Sequence, residues 1–149
     1  MLLFIDGSGK LYGIDISEAS LKTANVTLER EIEHGKVKLH LGSVMSMPYK
    51  DNMYGCVFHT NSYYFWPDLS KGVQEIHRVL KPEGKMVCTL RYKFVKGHKK
   101  FRPILFCAKT VNSDVYMDVV RKNGFRDVYM ENMKGFPQVI HATAKHSSE

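Results

Sequence analysis

The chain has 149 residues, a hydrophobic content of 44% and a formal net charge of +7, which suits a globular domain with an ordinary core. No apolar run approaches the roughly twenty residues that cross a bilayer, and Met1–Ile5 is too short for a secretory signal. The cysteines at positions 56, 88 and 107 form no CxxC pair, which argues against a zinc site or disulfide framework and favours a cytoplasmic protein. The positive charge favours anionic partners but indicates no fold.

The first predicted elements are a strand and a helix. Leu11–Ile16 is apolar nearly throughout and contains Asp15 near its end, which predicts a buried parallel strand. Ser17 follows, and its hydroxyl suits the N-cap of a helix. The apolar positions of that helix fall on one face, at Leu21, Ala24, Leu28 and Ile32, and Gly35 ends it.

Two strands and a second helix come next. Val37–Leu41 predicts a strand leading into Gly42-Ser43-Val44, and Gly55–His59 predicts another after a turn near Pro48. Asp68 is placed to cap a helix whose inner face is Leu69, Val73, Ile76 and Leu80. Pro82 and Gly84 are expected to end this helix before the strand Lys85–Leu90.

The last third of the sequence is less regular. Tyr92–Lys109 is basic and aromatic, which predicts a loop or an additional helix. Asn112 or Ser113 begins a helix that carries Val115, Val119 and Val120 on its inner face and ends at Gly124. Two strands, Arg126–Glu131 and Gln138–Ala144, are expected around a turn at Gly135–Pro137. Strands alternating with helices, followed by a hairpin, predict an open α/β sheet.

Three motifs carry a family resemblance: Tyr12-Gly-Ile-Asp-Ile-Ser17, Gly42-Ser-Val-Met-Ser-Met-Pro48, and Glu75-Ile-His-Arg-Val-Leu-Lys-Pro-Glu-Gly84. The third is the most specific, because it keeps a helical period together with the helix-ending Pro82 and Gly84. On these residues the chain resembles the class I S-adenosylmethionine-dependent methyltransferases, in the methyltransferase type 11-like branch, over roughly residues 6 to 90.

This resemblance implies a Rossmann-like methyltransferase sheet with helices on both faces and a C-terminal antiparallel hairpin. The family's first strand and Gly-rich turn are missing, so residues 1–149 are expected to form a single partial, N-terminally truncated domain. Asp6–Lys10 looks like the loop before the second strand and not like the Gly-rich turn. Met1–Ile5 forms either a hairpin with Leu11–Asp15 or the remnant of a helix, and we favour the remnant. Two inner strand edges and one apolar face of the sheet would then be uncovered.

The resemblance also implies a site for the cofactor, S-adenosyl-L-methionine. Asp15 would accept hydrogen bonds from the ribose hydroxyls, although capping the next helix is an alternative role for its carboxylate. Ile16 and Val44 would enclose the adenine. The adenine rim would include Ser43, in place of the usual Asp, and Met45.

The segment after the predicted strand Gly55–His59 supplies the other candidates. His59 and Thr60 would face the methionine part of the cofactor, and His59, as general base, and Asn61 are the catalytic candidates. The side chains of Tyr63, Tyr64 and Trp66 would wall the substrate pocket, or they are simply core packing. No metal site is expected, because the histidines lack metal-ligand spacing.

The predicted function is methyl transfer from S-adenosylmethionine to a small molecule that the sequence does not identify, impaired by the truncation. The alternative is a catalytically inactive methyltransferase-like protein acting through a binding partner, with that partner or a second copy covering the exposed edges. A third interpretation is RNA binding through Lys93–Arg102, but a lid over the substrate site is favoured there. No membrane association is expected.

Overall fold

The structure is a computed structural model that describes residues 1–90, 112–132 and 138–146. Within these ranges the strands are β1 Leu2–Asp6, β2 Leu11–Asp15, β3 Val37–Leu41, β4 Tyr54–Thr60, β5 Leu80–Leu90, β6 Phe125–Asn132 and β7 Gln138–Ala144. The helices are α1 Glu18–Thr27, α2 Glu29–Glu33, α3 Leu69–Val79 and α4 Ser113–Lys122, with a short 3-10 helix at Tyr63–Phe65. None of the helices in these ranges is both long and apolar enough to cross a bilayer.

The described strands form one mixed sheet in the order β3-β2-β1-β4-β5-β7-β6. β2 is parallel to β3, and β4 is parallel to β5. The last two strands form the expected antiparallel hairpin, with β7 placed between β5 and β6. The predicted α/β sheet with a C-terminal antiparallel hairpin is confirmed.

The prediction that Met1–Ile5 is the remnant of a helix is wrong, because Leu2–Asp6 forms the central strand β1. β1 runs antiparallel to both of its neighbours, so that Leu3 lies opposite Gly13 of β2 and Phe58 of β4. A short turn suffices for this hairpin, because Asp6 Oδ1 accepts hydrogen bonds from the backbone N–H groups of Ser8 and Lys10, each at 2.9 Å. The predicted uncovered inner edges are therefore also wrong, since β1 fills the place between β2 and β4.

The side chains of β1 alternate between a packed and an open face of the sheet. Phe4 is fully buried, whereas Ile5 is 44% exposed. The packed face forms the main core with α3 and α4, and its fully buried members include Phe4, Ile14, Tyr54, Val57, Val73, Ile76, Leu80, Tyr116, Val120 and Ile140.

The open face is covered only in part by the described residues. Leu21 of α1 and Val37 of β3 are buried outside the main core cluster, and α1 contacts β2 and β3. Beside them, Ile5 and Phe58 are 44% and 38% exposed. The described residues therefore leave this face partly exposed at Ile5 and Phe58.

The predicted helix starts are confirmed by their caps. The Ser17 hydroxyl accepts from Ser20 N at 3.2 Å, and Asp68 Oδ1 accepts from Lys71 N at 3.0 Å. Asn112 caps α4 through a 2.9 Å bond from Asp114 N. These caps satisfy amides that a helix leaves unpaired in its first turn.

Three details differ from the predicted elements. The first helix is interrupted at Leu28, between α1 and α2. β5 begins at Leu80, although its regular pairing with β4 resumes only at Lys85. The inner face of α4 consists of Tyr116, Met117 and Val120, whereas Val115 is exposed. The predicted segment Tyr92–Lys109, which includes Lys93–Arg102, and the turn at Gly135–Pro137 lie outside the described residues.

Candidate functional site

A cleft of about 250 Å³ lies at the carboxyl edge of the sheet. The strands β2, β3, β4 and β5 all end at this edge, and the antiparallel β1 begins there. Open α/β sheets bind their ligands outside the carboxyl ends of the strands. Seven of the residues predicted from the sequence line the cleft: Asp15, Ile16, Ser43, Val44, Thr60, Asn61 and Trp66.

Asp15 ends β2 at the floor of this cleft. Its Oδ1 accepts a hydrogen bond from Ser17 N at 2.9 Å, and its Oδ2 pairs with the α-ammonium group of Met1 at 2.8 Å. The Asp15 side chain is 12% exposed. The N-cap of α1 is Ser17 and not Asp15, so the alternative role of Asp15 as the cap is wrong. Its role as a ribose ligand stays a prediction.

The turn Ser43–Ser46 forms one wall of the cleft. It begins where Gly42 N donates to Asp15 O at 3.0 Å, and it closes where Ser46 N donates to Ser43 O at 3.2 Å. The Ser43 hydroxyl accepts from Met45 N at 3.1 Å. Val44 and the exposed Ile16 both line the cleft, as an adenine-enclosing pair requires.

Four of the predicted site residues do not line the cleft. Met45 is half-buried against the core, and Tyr63 and Tyr64 are buried. The Tyr63 ring stacks on Tyr116 with 4.2 Å between centroids. Core packing is therefore the better interpretation for Tyr63 and Tyr64, and of the three predicted aromatic residues only Trp66 reaches the cleft.

His59, the fourth, is fully buried. One ring nitrogen, Nδ1, lies 3.0 Å from Ser62 Oγ, and the other, Nε2, lies 2.9 Å from Tyr116 OH. Burial, with a smaller contribution from the amino-terminal charge, lowers the pKa of His59 to about 3. We correct its predicted roles as general base and as a contact of the methionine part of the cofactor, because a ring with both nitrogens engaged and no exposed surface cannot contact either ligand.

Seven residues that line the cleft were not predicted as site residues from the sequence: Met1, Leu2, Ile14, Gly42, Ser62, Phe65 and Pro67. Ser62 and Phe65 lie in the segment after β4 that supplied other predicted site residues, so their position in the sequence could have identified them. Met1 was missed because β1 was expected to be helical.

The turn Asp6–Lys10 lies at the opposite edge of the sheet. It joins the end of β1 to the start of β2, whereas Asp15 ends β2. Its glycines therefore cannot cradle a ligand in the cleft, in agreement with its interpretation as the loop before the second strand. A larger, open groove of about 460 Å³ lies away from the carboxyl edge, between Asp51–Asn52, α3 and Gly124.

The described residues contain no cluster of three or more histidine, cysteine or acidic side chains able to hold a metal ion. They do bring an acid at the end of β2 together with a turn after β3 and polar residues after β4. An acid at the end of β2 and such a turn after β3 are the arrangement that the resemblance to the class I methyltransferases implies.

Comparison with known proteins agrees with this class. The family described as "Methyltransferase domain" matches residues 2–88, and the chain belongs to this family. An uncharacterized methyltransferase, YdaC, of Bacillus subtilis is 40% identical over 81 residues, which make up 54% of this chain and 42% of that protein. The chain spans less than half the length of the curated relatives it matches.

Solved structures show the same fold. An S-adenosylmethionine-dependent methyltransferase from Aquifex aeolicus superposes with a TM-score of 0.74 at 18% identity, over 93% of this chain and 70% of that one. A Haloferax volcanii structure, a complex between the Trm112 methyltransferase activator and a methyltransferase, superposes with a TM-score of 0.72 at 17% identity, over 91% of this chain and 72% of that one. At these identities the likeness concerns the fold alone.

Proposed function

We propose that the cleft binds the nucleoside part of S-adenosyl-L-methionine and that residues 1–149 form a single partial domain of a methyltransferase acting on a small molecule. The observation that carries this proposal is the meeting of Asp15, Val44 and Asn61, from the ends of three strands, in one cleft. Membership of the methyltransferase domain family supports it.

The residues of the cleft suit the parts of this cofactor. The Asp15 carboxylate would accept hydrogen bonds from the ribose hydroxyls, and charge-assisted bonds of this kind contribute about 1.5–3 kcal/mol each. Ile16 and Val44 would enclose the adenine, while Ser43 would offer its hydroxyl at the rim. Thr60 and Asn61 would face the methionine part.

Catalysis would require little more than orientation. When bound, the cofactor supplies an activated methyl group on a sulfonium. The chain then has to hold an acceptor in line with that group, and orientation of this kind provides much of the rate gain. Asn61 and Trp66 line the cleft where an acceptor would approach.

We further propose that this chain binds the cofactor weakly. The cleft of about 250 Å³ is smaller than the roughly 300–1,000 Å³ of most ligand pockets. The turn Asp6–Lys10 lies at the wrong edge to extend it.

Isothermal titration with S-adenosylhomocysteine tests both parts. We expect saturable binding that is weaker than micromolar, and Asp15→Asn should reduce the affinity about tenfold or more. Asp118→Asn, which removes an exposed carboxylate on α4 far from the cleft, is the matched control and should leave the affinity unchanged. Micromolar affinity of the unchanged chain would refute weak binding, and equal affinity of Asp15→Asn would refute the site.

A second candidate function is that of a catalytically inactive subunit that binds a partner. The exposed Ile5 and Phe58 on the open face favour it, and one structural neighbour is a methyltransferase bound to an activator protein. The inner strand edges are not the contact surface, because β1 pairs with both. Light scattering combined with a transfer assay decides between the two, since a monomer that methylates an acceptor would exclude the inactive subunit.

A further inference from the structure

Two charged side chains of α3 hold the segment that leads away from the cleft. Glu75 and Arg78 lie one helical turn apart and form an ion pair, with 2.8 Å between Arg78 Nε and Glu75 Oε1. Both also contact the backbone that follows the turn Ser43–Ser46. They lie outside the cleft lining, so the proposed cofactor contacts do not account for them.

Glu75 fixes the first residue after the turn. Its Oε2 accepts a hydrogen bond from Met47 N at 2.9 Å and another from Arg78 Nη2 at 2.9 Å. The hydrogen bond from Arg78 is the main cause that keeps the pKa of Glu75 below its ordinary value. The carboxylate is therefore charged at neutral pH and holds the Met47 amide through a charge-assisted bond.

Arg78 fixes three further points of the same segment. Its Nη2 donates to Met47 O at 3.2 Å, and its Nη1 donates to Tyr49 O at 2.8 Å and to Asp51 Oδ1 at 2.7 Å. A planar guanidinium presents several donors in a fixed arrangement, which a lysine ammonium cannot reproduce. One side chain thus sets the path of Met47–Asp51 against α3.

The turn Ser43–Ser46 is consequently held at both ends. At its start, Gly42 N donates to Asp15 O at 3.0 Å. Just beyond its end, Met47 is held by Glu75 and Arg78. Ser43 and the buried Val44 line the cleft between these two fixed points, so a shift of the Met47 end would move both of them.

We propose that Glu75 and Arg78 are positioning residues that hold the turn Ser43–Ser46 in its cofactor-binding arrangement. This inference rests on the proposed function, since the turn is taken to contact the adenine. A purely structural ion pair would stabilise the fold without favouring the bound arrangement. A positioning pair affects affinity through the turn, because misplaced contacts lose binding.

The first experiment needs no ligand. Amide hydrogen exchange at Met47 and within Ser43–Ser46 should become faster in Arg78→Lys and in Glu75→Gln than in the unchanged chain. Arg121→Lys is the matched control, because Arg121 also pairs with an acid three residues earlier and donates to a backbone carbonyl, but on α4. Unchanged exchange in the turn of Arg78→Lys overturns the proposal.

The second experiment measures the effect on binding. Arg78→Lys should weaken S-adenosylhomocysteine binding about tenfold, and Val44→Ala should cost less affinity in the Arg78→Lys background than alone, because the turn is already displaced. In the Arg121→Lys background, Val44→Ala should keep its full effect. Additive losses in the Arg78→Lys background would show a merely structural pair and overturn the proposal.

A milder variant covers the case in which Arg78→Lys does not fold. Asp51 is 69% exposed and contacts Arg78, so Asp51→Asn should fold normally, accelerate exchange in the turn and weaken binding by less than Arg78→Lys. Absence of both effects overturns the proposal. No binding by the unchanged chain would refute the proposed function, whereas equal binding by the unchanged chain and Arg78→Lys would refute only the positioning role.

Discussion

Replacing Phe4 tests the unexpected position of β1 at the centre of the sheet. Phe4 is fully buried, and its ring centroid lies 4.9 Å from that of Tyr54 and 5.5 Å from that of Tyr49. Removing a buried phenyl ring leaves a cavity, so Phe4→Ala should lower the free energy of unfolding by about 3–5 kcal/mol. The next residue provides the control. Ile5 is 44% exposed on the open face, and Ile5→Ala should cost only about 1 kcal/mol.

Urea unfolding followed by far-ultraviolet circular dichroism measures both values, and the fluorescence of Trp66, the single tryptophan of the chain, provides a second probe. We expect a loss for Phe4→Ala several times that for Ile5→Ala, with unchanged m-values. A one-residue shift of β1 would exchange its two faces and reverse the order of the two variants. Small and equal losses would contradict a central strand and favour the helix remnant.

Two other predictions concern His59 and two glycines. Burial lowers the pKa of His59 to about 3, which is below its value in the unfolded chain. The contribution of neutral His59 to the free energy of unfolding is therefore complete above about pH 6.5, and it falls between about pH 6.5 and 3 by on the order of 1 kcal/mol per pH unit. In urea titrations at pH 7 and 5, the free energy of unfolding of His59→Gln should depend less on pH than that of the unchanged chain, and an equal dependence would contradict this origin. Gly124→Ala should lower the thermal stability more than Gly35→Ala. Both glycines have positive φ, but only at Gly124 would a Cβ lie 2.6 Å from the histidine of α3. Equal losses of stability would mean that backbone strain alone decides.

Much of the fold could be predicted because its signals are local. The caps at Ser17 and Asp68 each depend on residues within one helical turn, and β3 at Val37–Leu41 was predicted with its observed bounds. Asp15 ends β2 and Ser43 follows β3. Because parallel strands end at the same edge of a sheet, the sequence also placed both residues at that edge.

The remaining features depend on contacts between distant parts of the chain. The sequence of Met1–Ile5 fits a strand or the end of a helix equally well. It forms a strand because β2 and β4 each offer an edge with which β1 pairs. His59 looked catalytic because it lies near the end of a strand at the ligand edge, but its partner Tyr116 lies on α4, on the packed face. The role of Glu75 and Arg78 likewise depends on a loop that packs back onto α3.

The site at the ends of β2, β3 and β4 is tested most directly by a titration of the ¹⁵N-labelled chain with S-adenosylhomocysteine, followed by two-dimensional NMR. Amide shifts should concentrate at Asp15–Ile16, Ser43–Val44 and Thr60–Asn61, and the amides of β6 should remain unchanged. Shifts centred on the open groove at Asp51–Asn52, or no shifts at millimolar ligand, would contradict a cofactor site in this cleft.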